Sequence, residues 1–117
     1  MTGNEYQKAA LRTANMDYFT FHERLSNGVM GLCGEAGEVI DIVKKAQFQG
    51  HELDVDHIAE ELGDLAWYLA ITASAIGKNL DEIFSANVDK LRKRYPEGFD
   101  ADRRVHREEY ENACLFL

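Results

Sequence analysis

Apolar residues recur at helical spacing over three long stretches of the chain. In the first stretch, 27–47, apolar side chains return every three or four residues and form one stripe on a helix. Ser26 or Asn27 is suited to cap the start of this helix, and Gly50 lies just beyond its end. The pattern therefore predicts a long amphipathic helix in this part of the chain.

Two further helices are predicted downstream by the same spacing. The second begins at an N-cap, either Asp54 or Asp56, and is closed by Gly77. The third runs from 81 to about 95, where Pro96 prevents its continuation. Because only a short loop joins the first two helices, we expect them to pack as antiparallel neighbours.

The remaining segments agree with a helical protein. A shorter helical pattern lies within residues 1–21, and the residues after Asp102 are expected to form a short charged helix. No stretch alternates polar and apolar residues in the way that predicts a strand. We therefore expect an all-α fold that resembles an antiparallel four-helix bundle. With 117 residues, one proline and no linker-like segment, residues 1–117 are expected to form a single domain.

The negative net charge of the chain excludes some classes of binding partner. Asp and Glu number 21 against 13 Lys and Arg, a formal net charge of -8. Nucleic acids and membrane surfaces are polyanionic, so we expect neither as a partner. The two cysteines, Cys33 and Cys114, are too few for a disulfide framework. Without an apolar stretch suited to a signal peptide or membrane span, a cytoplasmic location is the default expectation.

Two pairs of carboxylates lie on the first two long helices. Glu35 and Glu38 are three residues apart and share one helical face, and Glu61 and Asp64 repeat this spacing on the second helix. Counted from the connecting loop, the two pairs fall at nearly the same level. The spacing therefore predicts that four carboxylates converge on one patch between the two helices.

A divalent cation would stabilise such a patch. Carboxylates a few ångströms apart repel one another, and one or more would otherwise take up a proton. Mg²⁺ prefers oxygen ligands and often bridges carboxylates to phosphates. Gly34, Gly37 and Gly63 lie beside the carboxylates and would leave room for a metal and its substrate. The alternative is that these glutamate pairs occupy solvated helix faces without a ligand.

The motifs that carry these carboxylates resemble a known family. A Glu-x-x-Glu motif in residues 31–39 (GLCGEAGEV) is followed, after a spacer of 22 residues, by the Glu-x-x-Asp motif of residues 61–64 (ELGD). Together with residues 48–51 (FQGH) and 87–99 (NVDKLRKRYPEGF), they make the chain similar to the MazG-like all-α nucleoside triphosphate pyrophosphohydrolases. The resemblance covers about residues 28–104, which is most of the chain.

The resemblance implies a fold, a reaction and a cofactor. It implies a MazG-type helical fold and hydrolysis of a nucleoside triphosphate between its α- and β-phosphates, which yields a monophosphate and pyrophosphate. It also implies Mg²⁺ as the cofactor, with Mn²⁺ as a substitute, held by Glu35, Glu38, Glu61 and Asp64. One of these carboxylates would orient or deprotonate the attacking water. Assembly as a homodimer or homotetramer is a further implication.

Five residues are candidates for substrate binding: Tyr68, Asn87, Lys90, Arg94 and Lys44. Asn87, Lys90 and Arg94 lie within one or two turns of each other on one face of the third long helix and would hold the β- and γ-phosphates. The alternative is that the basic run only ends a helix favourably in solvent. Tyr68 follows Asp64 by one turn and would stack on a base or bind a phosphate.

Three other functions compete with this interpretation. A di-iron or di-manganese carboxylate bundle would require Glu-x-x-His motifs, which the sequence lacks. We do not expect His51 or His57, which flank the loop, to be metal ligands. A non-catalytic helical interaction or metal-binding module is the second alternative. The third is a relative with one narrow substrate, such as dUTP or phosphoribosyl-ATP.

Overall fold

A computed structural model describes residues 1–99, 101 and 102 of the chain. The described elements are four helices: α1 (Gly3–Leu11), α2 (Phe21–Phe48), α3 (Val55–Ala75) and α4 (Leu80–Arg94). No strand occurs in this described part, and the predicted all-α class is confirmed. The chain divides into two compact units, Met1–Leu80 and Asp81–Leu117. That residues 1–117 form a single domain stays a prediction.

Helix α2 begins earlier than the apolar pattern predicts. Its N-cap is Thr20, whose hydroxyl accepts the backbone N–H of Glu23 at 3.2 Å, while the Glu23 carboxylate accepts the N–H of Thr20 at 3.2 Å. This reciprocal capping box satisfies two backbone donors that would otherwise lack a partner. The predicted start at Ser26 or Asn27 is therefore wrong, since both residues lie inside the helix.

The other predicted ends of α2 and α3 are confirmed. Gly50 adopts a φ of 74° just beyond α2, and Gly77 adopts the same φ just beyond α3. This left-handed conformation favours glycine because a side chain would clash with the backbone. Asp54 caps α3, with its carboxylate accepting the backbone N–H of His57 at 3.0 Å.

Helices α2 and α3 pack closely in antiparallel directions. Gly28 lies against Thr72, and Gly31 lies against the ring of Tyr68. Residue numbers rise along α2 as they fall along α3, which defines the antiparallel pairing. A Cβ atom at either glycine would overlap its partner, so only glycine permits this approach. The close contact sets the register that brings the carboxylates of the two helices together.

Helix α1 is fastened to the C-terminal end of α3 by a buried glutamine. The amide of Gln7 donates to the carbonyls of Ala70 at 3.3 Å and Lys78 at 3.1 Å. Its carbonyl accepts the backbone N–H of Leu80 at 2.9 Å. Gln7 therefore satisfies three backbone groups where α3 ends and α4 begins.

The apolar core of the first unit is small. The buried apolar residues that the structure describes are Ala10, Ala70, Ile71, Ala73 and Leu80. Large apolar side chains of α2 remain in solvent, among them Met30 at 73% exposure and Ile40 at 70%. An exposed apolar helix face of this kind is typical of a surface that contacts another protein.

The second unit contains most of α4. The helix ends before Pro96, as predicted, and the ring of Tyr95 stacks on that of Phe99 with centroids 6.1 Å apart. The predicted helix after Asp102 and Cys114 lie outside the described residues. Within the described part, every helix is too short or too polar to cross a membrane.

Candidate metal centre

Three carboxylates meet at the α2–α3 interface. Glu35 extends from α2, and Glu61 and Asp64 extend from α3, so that one oxygen of each lies within 4.8 Å of the others. Glu35 and Glu61 are partly buried, whereas Asp64 is exposed. The structure thus brings together three of the four carboxylates that the sequence predicts to converge.

The carboxylates interact strongly across this interface. A hydrogen bond to Glu61 raises the pKa of Glu35 to about 7, with further increases from burial and from the negative charges of Glu61, Asp64 and Glu38. A carboxyl group must be protonated to donate such a bond, so this contact favours the protonated form of Glu35.

The donor set fits a hard divalent cation. Carboxylate oxygens are the ligands that Mg²⁺ prefers, and three of them converge here. A Cβ atom built at Gly34, Gly37 or Gly63 would meet no atom within 4 Å, so close packing does not require glycine at these three positions. The residues present could therefore hold a cation and leave coordination positions free for water or a substrate.

Glu38 lies one turn further along the same face of α2. Its charge contributes to the raised pKa of Glu35, and its side chain lines a cavity of about 340 Å³ beside the carboxylates. Its place as a metal ligand stays a prediction.

The cavity beside Glu38 has a mixed lining. Asp41 and Lys45 form an ion pair there, with Nζ and Oδ2 2.9 Å apart. This contact lowers the pKa of Asp41 and raises that of Lys45. His51 and His57 come from the loop and from the start of α3. The cavity therefore offers both hydrogen-bond donors and acceptors next to the carboxylates.

Sequence reasoning missed two side chains at this site. The Nε2 atom of His57 lies 3.2 Å from an Oε1 atom of Glu61. The spacing of four residues on one helix was an available signal. The second is Tyr6 of α1, whose hydroxyl donates to the carbonyl of Gly63 at 3.5 Å. Burial and the charge of Asp64 raise the pKa of Tyr6. No local sequence pattern predicts that Tyr6 lies at this site.

The candidate substrate-binding residues are distributed over both units. Tyr68 packs against Gly31, and its ring meets that of Trp67 edge-on at 5.0 Å. Lys44 is exposed on α2. The other candidates belong to α4: Asn87, Lys90 and Arg94. Substrate binding by these five residues stays a prediction.

Comparison with known proteins matches the sequence of this chain to a family. Residues 24–99 match the model of the MazG nucleotide pyrophosphohydrolase domain. The chain therefore belongs to the MazG nucleotide pyrophosphohydrolase family, as the motifs predict. It is also 36% identical over 80 residues to the Gene 37 protein of Mycobacterium phage L5, a match that covers 65% of this chain and 70% of that protein. No solved structure matches significantly.

Proposed function

We propose that this protein hydrolyses nucleoside or deoxynucleoside triphosphates to a monophosphate and pyrophosphate in a reaction that depends on a divalent cation. The observation that carries the proposal is the carboxylate group Glu35, Glu61 and Asp64 across two antiparallel helices. The family match supports a nucleotide as the substrate. The reaction breaks the bond between the α- and β-phosphates, and a water oxygen forms the new bond to phosphorus.

Four carboxylates would hold the cation: Glu35, Glu38, Glu61 and Asp64. Mg²⁺ is the cation we favour, with Mn²⁺ as a substitute, because the donors are all carboxylate oxygens. When bound, it supplies positive charge that offsets the negative charge of the phosphates and makes water more acidic. One of the four carboxylates orients the attacking water or accepts its proton. A proton held by Glu35 would leave when the cation binds.

Substrate binding would use the basic and aromatic candidates. Asn87, Lys90 and Arg94 lie on one face of α4 and carry the hydrogen-bond donors that β- and γ-phosphates need. Lys44 adds positive charge on α2, and Tyr68 offers an aromatic face one turn beyond Asp64. Each of these side chains would offer positive charge, hydrogen-bond donors or an aromatic face to a triphosphate in spite of the net charge of -8.

We also propose that the protein works as a homodimer or homotetramer. Val29, Met30 and Ile40 are exposed on α2 together with Cys33. At 100° per residue, these four side chains lie on one side of the helix, away from the glycines that contact α3. A second copy that covers this stripe would supply apolar burial that the small core of the first unit lacks.

A substrate panel tests the proposed activity. Each of the common NTPs and dNTPs, dUTP included, is incubated with the protein and Mg²⁺, and the products are separated by anion-exchange chromatography. We expect monophosphates to form, and expect none when EDTA replaces Mg²⁺. A diphosphate product would mean that a different bond is cleaved. No turnover of any nucleotide would contradict the proposal and favour a non-catalytic module.

A further inference from the structure

The carboxylate of Glu61 lies between two neighbours. On one side it is hydrogen bonded to Glu35 of α2. On the other side, its Oε1 atom lies 3.2 Å from the Nε2 atom of His57. The Glu61 side chain is only 14% exposed, while that of His57 is 48% exposed. His57 therefore approaches the carboxylate group from its more open side.

The start of α3 fixes the backbone of His57. The backbone N–H of His57 donates to the capping carboxylate of Asp54 at 3.0 Å, which makes His57 the third residue of a well-defined helical start. His57 and Glu61 are four residues apart, the spacing at which side chains meet on a helix surface. The contact is thus built into the local structure of one helix.

The ionisation of Glu61 determines which group donates the hydrogen bond between His57 and Glu61. When Glu61 is ionised its carboxylate only accepts hydrogen bonds, so in that state the imidazole donates its Nε2 proton to Glu61. A donor that holds a carboxylate from outside limits its rotation and directs its other lone pairs towards a cation. Partners of this kind commonly change metal affinity about 10- to 100-fold when they are removed.

We propose that His57 is a positioning residue for the metal centre, which acts by orienting the carboxylate of Glu61. This inference rests on the proposed metal-dependent function. Among the described residues, Glu35, Glu61 and Asp64 form the group whose ligand atoms all lie within 4.8 Å of one another, and His57 does not belong to it. Its role is therefore to hold a ligand.

Mn²⁺ binding without nucleotide tests the proposal directly. The dissociation constant is measured from the signal of free Mn²⁺ in electron paramagnetic resonance, for the wild-type protein and three variants. His57→Leu removes the donor. His57→Gln keeps a donor amide near the position of Nε2, and His51→Leu removes a ring that lines the same cavity without touching the carboxylate group. Circular dichroism and the melting temperature report whether each variant folds.

The predicted pattern is specific to a positioning role. His57→Leu should weaken Mn²⁺ binding by about 10- to 100-fold. His57→Gln should stay within about threefold of the wild type, and His51→Leu should bind as the wild type does. If His57→Leu does not fold, His57→Ala removes the same donor and takes its place, with the same loss of affinity expected.

Other outcomes overturn the proposal. Wild-type affinity in His57→Leu would show that the contact does not orient Glu61. A loss in His57→Gln as large as in the Leu variant would indicate that the ring itself is needed. If the wild-type protein does not bind Mn²⁺, the metal-dependent function fails as well, and that result is distinct from a failure of the His57 proposal alone.

Discussion

The carboxyl groups of Glu35 and Glu61 are hydrogen bonded to each other across the α2–α3 interface. Each comes from a different helix, and the register set by Gly28 and Gly31 brings them together. Two carboxyl groups can share a hydrogen bond only when one of them is protonated. The stability of the α2–α3 interface should therefore depend on whether this pair binds a proton or a cation.

The first prediction concerns pH and stability without metal. The pKa of Glu35 in the folded protein is about 7, above its ordinary value of 4.5. A raised pKa means that the folded state binds this proton more tightly than the unfolded state does. The stabilisation is therefore full below about pH 4.5 and is lost as the pH rises through 7. In EDTA, the wild-type melting temperature should fall more between pH 5 and pH 8 than that of Glu35→Gln.

Saturating Mg²⁺ provides the companion measurement. The cation would replace the proton of Glu35. The wild-type melting temperature should then fall less between pH 5 and pH 8 than it does in EDTA, and its pH dependence should approach that of Glu35→Gln. Parallel pH profiles for the two proteins in EDTA would mean that the proton of Glu35 has no role in stability.

The second prediction concerns the carboxylates themselves. Glu61→Gln and Glu38→Gln should each lower kcat/KM by at least about 100-fold, because a lost ligand removes several kcal/mol of charge stabilisation. Both variants should keep the helical circular dichroism spectrum of the parent. Glu60→Gln is the matched control, since Glu60 is exposed and adjacent to Glu61, and it should keep parental activity. A fully active Glu38→Gln would remove Glu38 from the site.

The third prediction separates two kinds of glycine on α2. Gly31→Ala should destabilise the protein, because the added Cβ would overlap the ring of Tyr68. Overpacking of this kind costs about 1 to 3 kcal/mol. Gly34→Ala has open space and should stabilise the helix by up to about 1 kcal/mol. Urea unfolding of the two variants checks the difference, and equal stability would contradict the close packing described.

The fourth prediction concerns the buried glutamine of α1. Gln7→Leu should cost about 2 to 4 kcal/mol, because the N–H of Leu80 and the carbonyls of Ala70 and Lys78 lose their partner. Gln47→Leu makes the same chemical change at an exposed position of α2 and should shift the free energy of unfolding little. Similar losses in both variants would mean that the hydrogen bonds of Gln7 contribute nothing specific.

The fifth prediction concerns self-association. Ile40→Lys places a charge within the exposed apolar stripe of α2 and should shift the protein towards the monomer in sedimentation velocity. Asn27→Lys adds the same charge to another face of this helix and should leave the mass unchanged. A wild-type protein that sediments as a monomer at all concentrations would contradict the proposed assembly.

The sequence predicts some helix boundaries better than others. The cap at Asp54 and the stop at Gly77 depend on interactions within a few residues; Gly77 was predicted, and Asp54 was one of the two caps predicted. The start of α2 depends on a local capping box as well, but its signal, Thr20 with Glu23, lies before the apolar stripe begins. Apolar spacing alone therefore placed the start too late.

In the candidate site as well, contacts set by local spacing were predicted and contacts between distant parts of the chain were not. Spacing within helices, with a short loop between them, predicted that four carboxylates converge, and the structure groups three of them, Glu35, Glu61 and Asp64. The contacts of Tyr6 with Gly63 and of Gln7 with Ala70 join residues that are 57 and 63 positions apart. Contacts of this range depend on how α1 packs on α3, which no local pattern of residues encodes.

The most direct test of the central claim is ³¹P NMR of the protein with a nucleoside triphosphate, with and without Mg²⁺, beside the Glu61→Gln variant. We predict that signals of pyrophosphate and a monophosphate grow only in the wild-type sample with Mg²⁺. Orthophosphate with a diphosphate, or equal turnover by Glu61→Gln, would contradict the assignment of the reaction to this carboxylate group.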